Sequence, residues 1–299
     1  MNLMYFEYFI FTIVILLIFL GLRKKILKYK SIYNKNGFDG VYLYFVNKNF
    51  TKTGLSNFVD KKKNILGKEI SKISNNKILY GPYSGTKILS SYGWSNIDFC
   101  PKYLGSYEYQ VQKKIIDLNK KKKFDYFIDL GAAEGYHIIS LLKKKFFKQG
   151  LAFEISKKSR EILKKNAQIN KLNNRIRIYK EANLSSLKNA LRNFNHRRLL
   201  FLVDIEGQEY DLFDKDFCKI FSKGTFIIEE HPFNISNKRK IKNFNQNIKK
   251  YYNVEILKDT PKNPFNFSIL EKYSDDEKYL MMSEGRPESM KWLILQPKK

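Results

Sequence analysis

Only two of the 299 residues are cysteine, Cys100 and Cys218, and no ligand-type spacing relates them. That excludes a disulfide framework and a cysteine-based metal site, and a reducing compartment fits best. Acidic residues are also scarce: 29 Asp and Glu stand against 56 Lys and Arg, for a formal net charge of +27. Such a charge can signal nucleic acid or an anionic membrane face. Here the lysine runs at 61–63, 120–123 and 143–145 are scattered along the chain. That is the pattern of a biased composition, not of one binding element. No internal repeat is evident. The hydrophobic fraction, 43%, is enough for a substantial core.

Charge is almost missing from the first 22 residues, where Glu7 is the one charged side chain. A helix from Tyr5 to Leu22 would span roughly 27 Å, close to the hydrocarbon thickness of a bilayer. The run lacks a preceding basic region and a small-residue cleavage site, so it reads as an uncleaved anchor and not a secretory signal. Arg23, Lys24, Lys25, Lys28 and Lys30 follow it directly, which places residues 23–299 on the cytoplasmic side. The expected division is an anchor at 1–22 with residues 5–22 in the lipid bilayer, a basic juxtamembrane segment and α+β extension at 23–123, and a main domain at 124–299.

Within the extension, 41–45 reads as a short strand, 61–74 as a polar helical stretch, and 107–118 as a helix. The Gly- and aromatic-rich stretch 80–95 reads as an ordered loop or hairpin. From residue 124 short apolar runs (124–129, 150–154, 175–179, 199–204, 225–229, 254–257 and 291–296) alternate with helical stretches (136–145, 156–170, 184–194, 209–221 and 237–251). This alternation predicts an α/β fold with a doubly wound, mostly parallel sheet. Ligands bind such sheets at the C-terminal strand ends.

The first strand runs into a turn with Asp129, Gly131 and Gly135, enclosing Ala132, Ala133 and Glu134. A tight turn needs Gly131's conformational freedom, and the following helix presents unpaired N–H groups. No second glycine follows Gly131 at the spacing of the dinucleotide fingerprint G-x-G-x-x-G. An acidic opening suits a cofactor with an ammonium and a sulfonium better than one with two phosphates. Glu154, at the next strand end, is placed to accept both ribose hydroxyls. The fourth strand ends in LVDIEGQE, with Asp204, Glu206 and Glu209, and the fifth in IIEEHPF, with Glu229, Glu230 and His231. Neighbouring strands would bring these groups to one mouth. Asp204, Glu206 or His231 could then take a proton from an acceptor hydroxyl, and the same cluster could hold a divalent cation. His137 and His196 carry no such pattern.

Three pieces, DLGAAEGYH, LAFEISKKSREILKKNAQIN and LVDIEGQEYDLF, resemble the FkbM-type branch of the class I S-adenosylmethionine-dependent methyltransferases. The resemblance covers roughly residues 124–232. It implies a Rossmann-like fold and S-adenosyl-L-methionine as cofactor. The cofactor site it implies comprises Asp129, Gly131, Ala132, Glu134, Gly135 and Glu154, with Glu181 or Ala182 near the adenine and Asp204 near the methyl; no resident metal is implied. Glu134 replaces the asparagine common in that loop. The expected activity is O-methylation of a sugar, glycolipid or other hydroxylated small-molecule or glycan acceptor at the cytoplasmic membrane face. A nucleic-acid methyltransferase is the weaker alternative: DIEG stands where amino-methylating enzymes carry Asn/Asp-Pro-Pro-aromatic, and the Pro-Cys pair of cytosine-C5 enzymes is absent. A third reading is an inactive, donor-binding membrane adaptor. Oligomeric state is left open.

Overall fold

The computed structural model describes residues 55–89, 98–235, 237–286 and 290–298. The anchor expected at 5–22 and the strand expected at 41–45 lie outside these. No helix among the described residues is long and apolar enough to cross a membrane. The chain divides into two compact units, Met1–Lys61 and Lys62–Lys299. The elements below belong to the second, apart from the first turns of α1.

The extension contributes α1 (Leu55–Ile73), α2 (Phe99–Leu104) and α3 (Tyr109–Lys122). Residues 77–87 turn back on themselves through a Lys77–Lys87 antiparallel bridge. The main domain follows as β1 (Tyr126–Leu130), α4 (Tyr136–Lys143), β2 (Gln149–Phe153), α5 (Lys157–Ile169), β3 (Ile176–Tyr179), α6 (Leu184–Leu191) and β4 (Leu199–Val203). It continues with α7 (Glu209–Leu212), α8 (Lys215–Ile220), β5 (Thr225–Glu229), α9 (Lys238–Tyr251), β6 (Tyr252–Lys258), α10 (Asp275–Met282) and β7 (Lys291–Pro297).

The seven strands form one sheet in the order β3-β2-β1-β4-β5-β7-β6. Pairing from β3 to β5 is parallel throughout, while β7 runs antiparallel to both β5 and β6. This is the mixed, mostly parallel, doubly wound sheet that the alternation predicts. The order reverses between β1 and β4, so the crevice for a ligand opens beyond their C-terminal ends.

Period-two alternation explains the two cores. Ile128 and Leu130 of β1, with Leu199, Phe201 and Val203 of β4, pack beneath Leu187, Phe213, Phe217 and Phe244. Phe127, Leu200 and Leu202 face the other way, toward Val111, Ile115, Ile138 and Leu142. Successive strand residues point to opposite faces, so near-continuous apolar runs are what a sheet covered on both sides requires.

One expected helix breaks. The stretch 209–221 forms α7 and α8, with Phe213 buried between them and Asp214 capping α8 by accepting from the Phe217 N–H at 2.7 Å. A capping aspartate restarts a helix at this point because its side chain replaces a missing backbone partner. Strand β1 also starts later than its apolar run, since Asp125 is engaged by Arg198 and Lys148.

Candidate active site

The turn after β1 is fixed by backbone geometry. Gly131 has φ +86°, and a Cβ there would collide with the carbonyl oxygen of Asp204. Close approach of β1 to β4 therefore requires glycine. The turn is pinned from the β2 side: Gly131 and Ala132 N–H donate to the Phe153 carbonyl at 2.9 and 3.0 Å. The Glu154 carboxylate accepts from Ala133 N–H at 2.8 Å and Ser156 N–H at 2.7 Å.

A cavity of about 580 Å³ opens beside this turn. Its lining includes Gly131, Glu154, Glu181, Ala182, Asp204 and Glu206 from the sequence-derived set. An adjoining cavity of about 50 Å³ is bordered by Asp129, Ala132 and Glu134, and by Gly131 and Asp204 again. Gly135 borders neither; it packs against Leu163 of α5. Glu134 turns its carboxylate onto buried Lys102 at 2.6 Å, a cation also held by Asp98 at 2.8 Å. Glu134 thus has its partner in α2. Ile155, 67% exposed, lines the larger cavity; an exposed isoleucine directly after Glu154 is a signal that sequence reading passed over.

Strands β4 and β5 are neighbours, and their ends do converge. His231 Nε2 lies 3.5 Å from Asp204 Oδ1, 3.7 Å from Glu206 Oε2 and 4.0 Å from Glu229 Oε2. On the other side of the ring, Nδ1 is 3.3 Å from Glu209 Oε1. Asp204 Oδ1 is buried without a hydrogen-bond partner, although the side chain as a whole is 32% exposed toward the cavity. Burial, reinforced by the Glu108 charge, pushes the Asp204 carboxyl up to about 6, against the opposing pull of His231. Asp129 is raised well above the ordinary range by burial and by the charges of Asp204 and Glu108, despite a backbone hydrogen bond from Ile138.

Behind Asp204 lies a network that no sequence motif announced. Glu108, at the N-terminus of α3, bonds His137 Nε2 at 2.9 Å, and His137 Nδ1 meets the Tyr83 hydroxyl at 3.1 Å. The Arg286 guanidinium reaches Glu108 at 2.6 Å and Glu284 at 2.9 Å, and also pairs with Glu229. His137, set aside in the sequence for want of a pattern, is a buried member of this network. Two sets of ligand-type atoms lie within 4.8 Å of one another: Asp204, Glu206 and His231, and Glu108, Asp204 and Glu229. The second already carries Arg286 on two of its members. In the first, the His231 ring faces acids from both of its nitrogens.

No family model matches the chain, and no curated protein matches it. Among solved structures it is similar to a putative O-methyltransferase from Klebsiella pneumoniae (10% identity, 64% of this chain and 80% of that one, TM-score 0.44). It is likewise similar to the O-methyltransferase from Bacillus cereus in complex with SAH (11% identity, 85% and 96%, TM-score 0.45). A third is the O-methyltransferase TomG from Streptomyces achromogenes, involved in tomaymycin synthesis and in complex with SAM (8% identity, 64% and 81%, TM-score 0.46). The chemistry of the site therefore rests on its own residues.

Proposed function

We propose that the chain is an S-adenosyl-L-methionine-dependent O-methyltransferase of the FkbM type. One observation carries this reading. The larger cavity is lined by six carboxylates (Glu154, Glu181, Asp204, Glu206, Asp211 and Asp214) and a single basic residue, Lys180, in a chain of net charge +27. A pyrophosphate would be repelled there, while a ligand bearing an ammonium and a sulfonium is attracted. The size suits a nucleoside-type ligand. Glu154 would face the ribose, Glu181 and Ala182 the adenine, and Asp204 the sulfonium end. When bound, the donor supplies a methyl group whose carbon bonds to the acceptor oxygen as its bond to sulfur breaks, the electron pair staying on sulfur. The protein's part is to hold the acceptor hydroxyl at the mouth between β4 and β5 and to take its proton on Asp204, Glu206 or His231.

The acidic mouth also disfavours a phosphate-rich acceptor, so a neutral hydroxylated molecule such as a sugar or glycolipid is the better substrate class. The apolar run at 5–22 with its basic flank supports a membrane-anchored enzyme working at the cytoplasmic face.

The test is calorimetric titration of the full chain, in mild detergent, with S-adenosyl-L-methionine and separately with NAD. Binding of the methyl donor alone is expected, weakened at least tenfold in a folded Asp129→Asn variant. NAD binding, or binding of neither ligand, would overturn the assignment.

A further inference from the structure

The three proton acceptors open to the reaction are not equivalent in the structure. Asp204 lines both cavities. Glu206 lines the larger one from an exposed position, where its carboxylate lies 3.4 Å from Asn234 Nδ2. His231 lines neither, and its side chain is only 5% exposed. An acceptor in the cavity meets Asp204 before it can reach the imidazole.

The ring is also held on both sides by acids. Glu209, the first residue of α7 and fully buried, accepts the His231 backbone N–H at 3.0 Å and the Gly207 N–H at 2.8 Å. It thereby ties the turn after β4 to the turn after β5. The same Oε1 faces His231 Nδ1 at 3.3 Å, and a carboxylate oxygen opposite a ring nitrogen calls for N–H on that nitrogen. Nε2 faces carboxylate oxygens of Asp204, Glu206 and Glu229 within 4.0 Å. A lone pair aimed at three carboxylates is repelled, whereas an N–H is attracted. Both nitrogens thus favour carrying hydrogen, which is the imidazolium form.

We propose that His231, locked by Glu209, is a positioning residue that acts through Asp204, and that Asp204 is the base. The O–H bond of the acceptor breaks toward Asp204, an O–H bond forms on the carboxylate, and the electron pair stays on the acceptor oxygen for the methyl carbon. His231 keeps its two protons. Its charge holds the Asp204 carboxylate in place and in its proton-accepting form, against burial and the opposing charges of Glu108 and Glu206; Arg286 works in the same direction as His231. The role in catalysis rests on the methyl-transfer reading, but the state of the ring does not.

The chain has only three histidines, so nitrogen-15 NMR of the imidazoles can be assigned with a His231→Gln variant. At pH 7 the His231 signals are expected at the positions of a ring protonated on both nitrogens. In a Glu209→Gln variant, fast exchange with the neutral form is expected. A neutral wild-type ring with an unprotonated Nε2 would overturn the proposal and return the proton-accepting role to His231. The second readout is the pH dependence of S-adenosyl-L-methionine binding, whose midpoint is expected near the Asp204 value of about 6. His231→Gln should move that midpoint up by about one pH unit or more, and an unmoved midpoint would exclude action through Asp204. If the donor does not bind at any pH, the methyl-transfer reading fails while the NMR result still decides the state of the ring.

Discussion

Gly131 shows how one residue carries both fold and site. Its φ of +86° is one that L residues rarely adopt, and its Cα approaches the backbone of Asp204 too closely for any side chain. Alanine there would meet two costs together. The left-handed conformation alone costs roughly 1–2 kcal/mol, and the clash with a carbonyl fixed in β4 adds more, since neither strand can retreat without breaking its pairing. Gly131→Ala is expected to lower stability by at least about 2 kcal/mol, read from urea unfolding, and to weaken donor binding by more than the stability loss explains. A folded Gly131→Ala protein with unchanged donor affinity would show that the β1–β4 approach does not shape the site. Gly85, also at positive φ but with open space around its Cα, is the natural control.

At the level of elements, much of the fold was legible because most strands are short, largely apolar runs, β4 with no polar residue at all, that alternate with helical stretches. The five strand ends that build the site, those of β1 to β5, could be placed from sequence, and with them the convergence of Asp204 and His231. The break at Phe213–Asp214 was not legible, since α7 and α8 together keep one helical apolar pattern and only the cap separates them. Glu108, His137 and Arg286 were hidden for a different reason: they lie far apart in sequence and meet only through tertiary packing. The starts of the strands offer a further element-scale test. Asp125 precedes β1 and pairs with Arg198, before β4, at 2.7 Å and with Lys148, before β2, at 2.9 Å. The hydrogen bond from Arg198 is the largest influence holding its carboxyl down at about 2, with burial opposing and Lys148 helping. A carboxyl lowered in the folded state adds stability above its unfolded value near 4 and loses it as pH falls toward 2. Asp125→Asn should therefore melt below the wild type at pH 7, by about 1 kcal/mol or less given the exposure of its partners Arg198 and Lys148. The gap should close between pH 4 and pH 2, and a gap that persists at pH 2 would mean that packing, not charge, is responsible.

Across the whole molecule, Arg286 joins two distant parts of the chain, Glu108 before α3 and Glu229 at the end of β5, to its own segment, where Glu284 lies two residues away. Arg286 is half-buried, but Glu108 and Glu229 are buried, and removing the cation leaves them as uncompensated charges, at a cost of up to roughly 3–5 kcal/mol. The partners differ in how they can respond. Glu229 is already pushed well above its ordinary range by burial and by the charges of Asp204 and Glu108, so it can take up a proton and become neutral. Glu108 cannot do so as readily: although burial opposes it, the hydrogen bond from His137 and the charge of Arg286 hold its carboxyl down at about 2. The cost of Arg286→Met should therefore fall mainly on Glu108. Denaturant unfolding of double variants separates the two. Adding Glu108→Gln, which can keep a hydrogen bond to His137, should recover a large part of the lost stability, whereas adding Glu229→Gln should recover little. Equal recovery from both would show that the two carboxylates share the guanidinium evenly and that His137 gives Glu108 no advantage.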